Sequence, residues 1–569
     1  MKNKFIEKTT VFILAAGLIV SMAACGSQTK PMEPAIAADN NSYEAALTAP
    51  AEADDNYCYE AAPMEPAEAA DNYCYAIAPT APDGANVNYG YDVGAEEYGV
   101  VKYNTEEYNY IRENTFLSVK TNPFSTFAAD VDTASYANLR RMILSGEQPT
   151  ADAVRIEEMI NYFSYDYPEP KDGEPFSVTT ELAPCPWNDE TDLLLVGLQA
   201  EKLDTESLPA SNLVFLIDVS GSMSDSNKLP LVKRAFLLLL ENLSAEDKVS
   251  VVTYASSDAV VIDGADINQK TEIMTAIENL SAGGSTQGSK GIETAYQLAE
   301  KHFIEGGNNR VILATDGDLN VGITSESKLT RLIQKKRKNG VFLSVMGFGT
   351  GNIKDNKMEA LADNGNGNYS YIDTIDEARK VLVEELGGTL FTVAKDVKLQ
   401  VEFNPKVVKG YRLIGYENRI MNAEDFADDT KDGGEIGAGH RVTALYEIVK
   451  MDSAYELPNV ESRYGQTQTS ADSENLDEDE WLAINIRYKK PDGNTSKLLT
   501  YPVNDSAYSD SMSENMSFAA GVAQFGMVLR ESDYLGSTTL EDIIARLKLL
   551  PSVAADEYKE ELLYLMRKM

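Results

Sequence analysis

The stretch Leu213-Val214-Phe215-Leu216-Ile217-Asp218-Val219-Ser220-Gly221-Ser222-Met223-Ser224 decides the fold. Five apolar residues run without a polar break and stop at an aspartate. A strand with one wet face alternates apolar and polar side chains. An unbroken run instead marks a strand covered on both faces, as in a parallel sheet between two layers of helices. A short loop of small polar residues follows. Ligands of open α/β sheets bind beyond the carboxyl ends of the strands. Asp218, Ser220 and Ser222 therefore stand where a site is expected, and alternate side chains of a tight loop can converge on one point.

Outward from this run, strands and helices alternate over 211–393. Helices are expected at 231–243 (apolar nearly all round, hence central), 272–280, 290–303, 328–338 and 357–362. Strands are expected at 249–254, 311–314, 341–347 and 368–372. A closing helix at 375–386 is expected to stop at Gly387-Gly388. This pattern predicts an α/β unit with a doubly wound, mostly parallel sheet. Before it, 115–175 reads as helical: Asp132 starts one helix, and Ile156, Met159, Ile160 and Phe163 share a face of the next. Segment 176–210 reads as β, pairing with a C-terminal domain at 394–569 that is β-rich and then helical. In that domain Thr538 and Glu541 are spaced as a capping box. With β segments on both sides, the α/β unit is expected to be inserted into a split β domain.

Two more loops bear on the site. Gly283-Gly284-Ser285-Thr286 precedes a helix, and Thr315-Asp316-Gly317-Asp318 follows a strand. Three hydroxyls and two carboxylates suit a hard divalent cation, which takes oxygen ligands. Their formal charge is near zero once the ion binds, so an open position favours an anionic oxygen from outside, a Glu or Asp of a protein partner. The D-x-S-x-S of Asp218, Ser220 and Ser222, the loop Thr286 and the Thr-Asp-Gly of Asp316 resemble the metal-ion-dependent adhesion site of von Willebrand factor type A (VWA) domains, over about 211–393. The resemblance implies Mg²⁺ or Mn²⁺ held by Ser220, Ser222 and Thr286 directly or through water, and by Asp218 and Asp316 mainly through water. Segments 122–136, 154–163, 415–419 and 434–447 resemble the flanking modules of a bacterial VWA lipoprotein family. That likeness, over roughly 115–569, bears on fold and location.

Composition narrows the function classes. The chain has 569 residues, 50 basic and 90 acidic, for a net charge of −40. This disfavours nucleic acid, which needs clustered Lys and Arg. Two histidines, His302 and His440, and four cysteines argue against multi-His zinc, Cys₄ zinc or iron–sulfur centres, and leave oxygen ligands for any metal. Residues 1–24 read as an export signal: Lys2, Lys4 and Lys8, then an apolar stretch too short to span a bilayer. Ser21-Met22-Ala23-Ala24-Cys25 resembles a lipobox, with Met22 in the usual leucine position, so Cys25 is expected to be lipidated. The expectation is an exported lipoprotein, anchored in a membrane of the bacterial cell envelope through its lipid. Residues 25–114 repeat Pro-Met-Glu-Pro-Ala and Asp-Asn-Tyr-Cys-Tyr, and read as a disordered stalk whose Cys58 and Cys74 could pair or stay as thiols.

Competing motifs are weaker. Asp130-x-Asp132 has its threonine, Thr133, one position too early for a phosphatase nucleophile pair, and Asp132 reads as a helix-start residue. The Gly-rich 347–352 lacks a basic residue to neutralise a phosphate and reads as a mobile turn. The function expected is a non-enzymatic, metal-dependent grip on an acidic side chain. The alternatives are a structural envelope scaffold with an idle metal site, and a metal-assisted hydrolase with Asp318 as base.

Overall fold

The computed structural model describes residues 104–569 apart from 130–131, 172, 204–207, 287, 318–325, 459–478, 492 and 494. The export signal, Cys25, the repeats with Cys58 and Cys74, and Asp318 lie outside the described residues. Strands β1 (Leu117–Ser118) and β2 (Phe124–Ala128) lead to helices α1 (Ala134–Leu144) and α2 (Ile156–Asn161), then to β3 (Phe176–Pro184) and β4 (Asp192–Ala200). The α/β unit follows: β5 (Ser211–Asp218), α3 (Leu229–Glu241), β6 (Lys248–Tyr254), β7 (Asp258–Asp266), α4 (Lys270–Glu278), α5 (Gly288–Lys301), β8 (Asn308–Thr315), α6 (Glu326–Arg337), β9 (Phe342–Phe348), α7 (Asp355–Asn364), β10 (Tyr369–Ile372), α8 (Ile375–Arg379) and α9 (Leu386–Leu390). Strands β11 (Thr392–Phe403), β12 (Val408–Ile414), β13 (Ile420–Met421), β14 (Gly434–Gly437), β15 (Arg441–Lys450), β16 (Glu480–Lys489) and β17 (Lys497–Asn504) come next. Helices α10 (Glu514–Arg530), α11 (Leu540–Leu547), α12 (Pro551–Ala554) and α13 (Glu557–Lys568) end the chain.

The α/β sheet runs β10-β9-β8-β5-β6-β7. Its neighbours pair in parallel except β7, which pairs antiparallel with β6 at the edge. The central β5 is buried along its whole length, and its side chains divide between two cores. Leu213, Phe215 and Ile217 pack with α3, α4 and α8; Val214 and Leu216 pack with α5, α6 and α7. Helices on both faces are the reason the run carries no polar residue: water reaches neither side. Phe215 stacks on Phe236 of α3 at 4.3 Å between ring centroids.

Two antiparallel sheets flank this unit. One runs β1-β12-β15-β4-β3; the other runs β13-β2-β11-β16-β17, with β14 on β11. Their facing sides share one core that includes Leu194, Val196, Tyr446, Leu399 and Ile484. The outer face of the first sheet, through Leu193, Leu195 and Leu445, packs against α2, α10, α11 and α13. Both sheets thus combine strands from before and after the α/β unit, and the unit is inserted into a split β domain.

Several local expectations need correction. Strand β7 is an addition to the expected elements: of its apolar run Ala259–Ile262 only Ile262 is buried, because the strand lies on an edge of the sheet. Helix α3 is not buried all round; Arg234 lies on an exposed stripe. Gly387 and Gly388 do not stop the closing helix. It continues through a π-turn at Lys380–Glu384 into α9, which contains both glycines. Thr539 and Asp542, one residue on from Thr538 and Glu541, form the capping box of α11. Asp132 does not cap α1; its carboxylate accepts the Tyr369 N–H at 2.7 Å and pairs with Arg419 at 3.2 Å. The expected stalk runs too far: residues 104–114 are bonded to the body, for example Thr105 N–H to Gly351 O at 2.8 Å. No helix among the described residues is long and apolar enough to cross a membrane.

Candidate metal centre

Asp218 ends β5, Ser220 precedes the 3₁₀ turn Gly221–Ser224 that holds Ser222, and Asp316 follows β8 directly. Thr286 lies in the loop before α5. All five stand at the carboxyl edge of the sheet. Bonds link three of them in a chain. The Ser220 N–H donates to Asp218 Oδ1 at 2.8 Å, and the Ser220 and Ser222 hydroxyl oxygens are 3.0 Å apart. Ser222 in turn lies close enough to the Asp316 carboxylate to help hold it below its usual range. The loop of Thr286 is clasped to the first through backbone: Gly221 N–H to Gly284 O at 2.9 Å and Gly283 N–H to Val219 O at 2.8 Å. Gly284 sits at φ +83°, and a Cβ there would fall 2.6 Å from Ser256 Oγ, so only glycine permits this approach. Among the described residues the Thr286 hydroxyl bonds to none of the other four.

Depth separates the donors. Asp218, Ser220 and Asp316 are buried, Thr286 is half-buried and Ser222 is exposed. Burial pushes the Asp218 carboxyl up to about 6, with the nearby Asp316 charge acting in the same direction. Asp316 is held below its usual range: burial opposes this, but Asn352, Lys228 and Ser222 outweigh it.

Sequence reading missed Lys228. It stands just ahead of α3, and its ammonium lies 2.9 Å from Asp316 Oδ2 and 3.0 Å from Asn352 Oδ1. No motif signals it, since Lys228 and Asp316 are 88 residues apart. It changes the charge expected of the site: among the described residues the two carboxylates and this ammonium sum to −1, so a divalent ion leaves +1 rather than zero. The 347–352 loop is likewise not a mobile turn but a wall of the site, pinned by Gly351 N–H to Glu106 Oε1 at 2.8 Å.

The donor set fits a hard divalent cation. Every candidate atom is oxygen, and the two hydroxyls sit between two carboxylates. No group of three or more His, Cys, Asp or Glu among the described residues could hold a metal, so an ion here depends on the hydroxyls. His302 pairs with Asp263 at 2.7 Å on the surface, and His440 packs over Gly388, both away from this edge.

A mostly parallel sheet with these loops at its carboxyl edge defines a VWA domain, and the VWA family model matches residues 212–384. A von Willebrand factor model matches 102–195, and the model described as "Uncharacterized protein YfbK, C-terminal" matches 388–569. The chain belongs to the YfbK family of VWA proteins: it is 43% identical over 457 residues to Uncharacterized protein YfbK of Escherichia coli K12, covering 79% of this chain and 78% of that protein. Inter-alpha-trypsin inhibitor heavy chain H4 of Bos taurus is 28% identical over 26% of this chain and 17% of its own length. Among solved structures, von Willebrand factor type A from Catenulispora acidiphila has 14% identity and a TM-score of 0.38, over 71% of this chain and 91% of that one.

Proposed function

We propose that this chain is an exported, lipid-anchored protein of the bacterial cell envelope that holds Mg²⁺ or Mn²⁺ between Asp218, Ser220, Ser222, Thr286 and Asp316, and through the ion grips a Glu or Asp of a protein partner. It is a binding protein, not an enzyme. The carrying observation is the bonded run Asp218–Ser220–Ser222 beside the buried Asp316 at the carboxyl edge of the sheet. When bound, the ion supplies a Lewis-acidic position for the partner's carboxylate. Ser222 and Thr286 leave that side accessible, whereas the buried aspartates hold the inner side. The anchor rests on residues 1–25: a basic start, a short apolar stretch and Cys25, with low-complexity sequence between anchor and body.

Isothermal titration of Mg²⁺ and Mn²⁺ into the full-length chain, alone and with excess acetate, tests the site. One saturable site lost in Ser220→Ala/Ser222→Ala is the expected result. No saturable binding in either condition sinks it and favours a scaffold with an idle site. Metabolic labelling with a palmitate analogue tests the anchor, and Cys25→Ser should abolish the label.

A further inference from the structure

Lys228 is built into the site. Only 5% of its side chain is exposed. Gly349 sits at φ +79°, and a Cβ there would fall 2.3–2.8 Å from Lys228 Cε, Cγ and Cδ, so the missing side chain is what opens the channel for the lysine stem. Gly317, at φ +98°, brings the Asp316 loop against 352–354: its Cβ would lie 2.6 Å from Lys354 N. Tyr371 OH donates to Gly349 O, and Thr105 N–H to Gly351 O, so the wall over Lys228 is held from two sides. A buried ion pair gains little net stability over an apolar pair of the same volume, so stability alone does not account for this arrangement.

We propose that Lys228 is a resident cation that competes with the metal for the charge of Asp316, so that a divalent ion is held tightly only together with a carboxylate from the partner. This rests on the metal-site reading above. The hydroxyls are neutral, and among the described residues Asp218, Asp316 and Lys228 sum to −1 without an ion and +1 with one. A carboxylate from outside returns the site to zero. With Asp218, Lys228 and Asp316 buried, like charges a few ångströms apart repel more strongly than they would in water. The ion alone is therefore disfavoured, and ion plus carboxylate is favoured. Metal and acidic ligand bind cooperatively, and by linkage each raises the affinity of the other equally. Lys228 is in this sense the specificity-determining residue of the site: it makes occupancy conditional on an acidic partner.

The test is Mg²⁺ titration of the full-length chain, with and without excess acetate, in wild type, Lys228→Met, Lys228→Gln, Lys228→Arg and Ser220→Ala/Ser222→Ala. Without acetate, the Met and Gln variants should bind Mg²⁺ roughly tenfold tighter or more, and Arg, which keeps the charge, should stay near wild type. Acetate should tighten Mg²⁺ binding in wild type and Arg but little in Met and Gln. Should Met fail to fold without metal for want of a counter-charge, recovery of its thermal midpoint in Mg²⁺ supports the competition as well. Serine-dependent Mg²⁺ binding that is no tighter in Met and Gln overturns this inference and leaves the metal site standing. No saturable binding in any protein, acetate included, overturns both.

Discussion

Glu157 shows how a buried carboxyl sets a pH dependence away from the candidate metal site. It is almost fully buried at the start of α2, and burial, reinforced by Glu417, pushes it up to about 7 from 4.5. A carboxyl raised in the folded state is neutral there and ionises more readily when unfolded. It leaves stability intact below about 4.5, and stability falls as pH rises toward about 7, where the loss is complete. Glu157→Gln removes that loss. The variant should match wild type at the acid end of the window and exceed it by about 3 kcal/mol above it. Urea unfolding at both ends checks this; an equal difference at both would refute it. Asp132 is read through its partners in the same way. Asp132→Ala leaves the Tyr369 N–H without its acceptor, while Arg419 keeps Glu359 and Asp363, and should cost about 1–3 kcal/mol in the same assay.

At the scale of elements, the glycine pair of α9 separates two causes that look alike in sequence. A Cβ on Gly388 would meet the His440 ring at 2.0–2.1 Å, while one on Gly387 would find only Ala438, at 3.6 Å or more. Gly388→Ala therefore overpacks the contact between α9 and the loop before β15, at a cost of about 1–3 kcal/mol. Gly387→Ala should be neutral or stabilising by up to about 1 kcal/mol, since alanine favours the helix. Thermal midpoints of the two variants decide; equal losses would show that both glycines serve chain geometry instead. Strand β7 teaches the converse. Val260 and Val261 are exposed on an edge, and only Ile262 and Ala265 tie the strand to the core, so its pairing with β6 shows in the backbone register and not in an apolar pattern.

Across the whole molecule, buried charge ties the α/β unit to its flanks. Arg140 of α1 meets Asp373 at 2.5 Å, Glu377 of α8 at 2.7 Å and Glu561 of α13 at 3.0 Å. Arg155 pairs with Asp355 of α7, and Arg419 with Glu359 and Asp363. Each acid on the α/β side has its counter-charge on a flanking segment. Arg140→Met leaves three carboxylates without it and should cost about 3–5 kcal/mol. Residues 211–393 expressed alone lose Arg140, Arg155 and Arg419 together, and should melt well below the intact chain, which should unfold in one transition. Calorimetry showing two separate transitions, or an isolated segment as stable as the whole, would contradict this.

Local pattern was enough for the centre of this protein. The unbroken run of β5, the alternation of helix and strand around it, and the spacing of Asp218, Ser220, Ser222, Thr286 and Asp316 are all short-range or motif signals, because burial on both faces and loop geometry are written in consecutive residues. Gly415 to Arg419 and the 434–447 segment carried the flanks by resemblance alone, without showing which strands they pair. Pairing β4 with β15 joins residues over 240 positions apart, and Lys228 reaches Asp316 across 88. Both depend on what the folded chain brings together, and no periodicity records it. The same holds for Asp132, Gly388 and the charge of the site. The sequence determined the kind of sheet and the oxygen donors at its edge; the tertiary structure decided their neighbours, and the electrostatics of a buried site follow from neighbours.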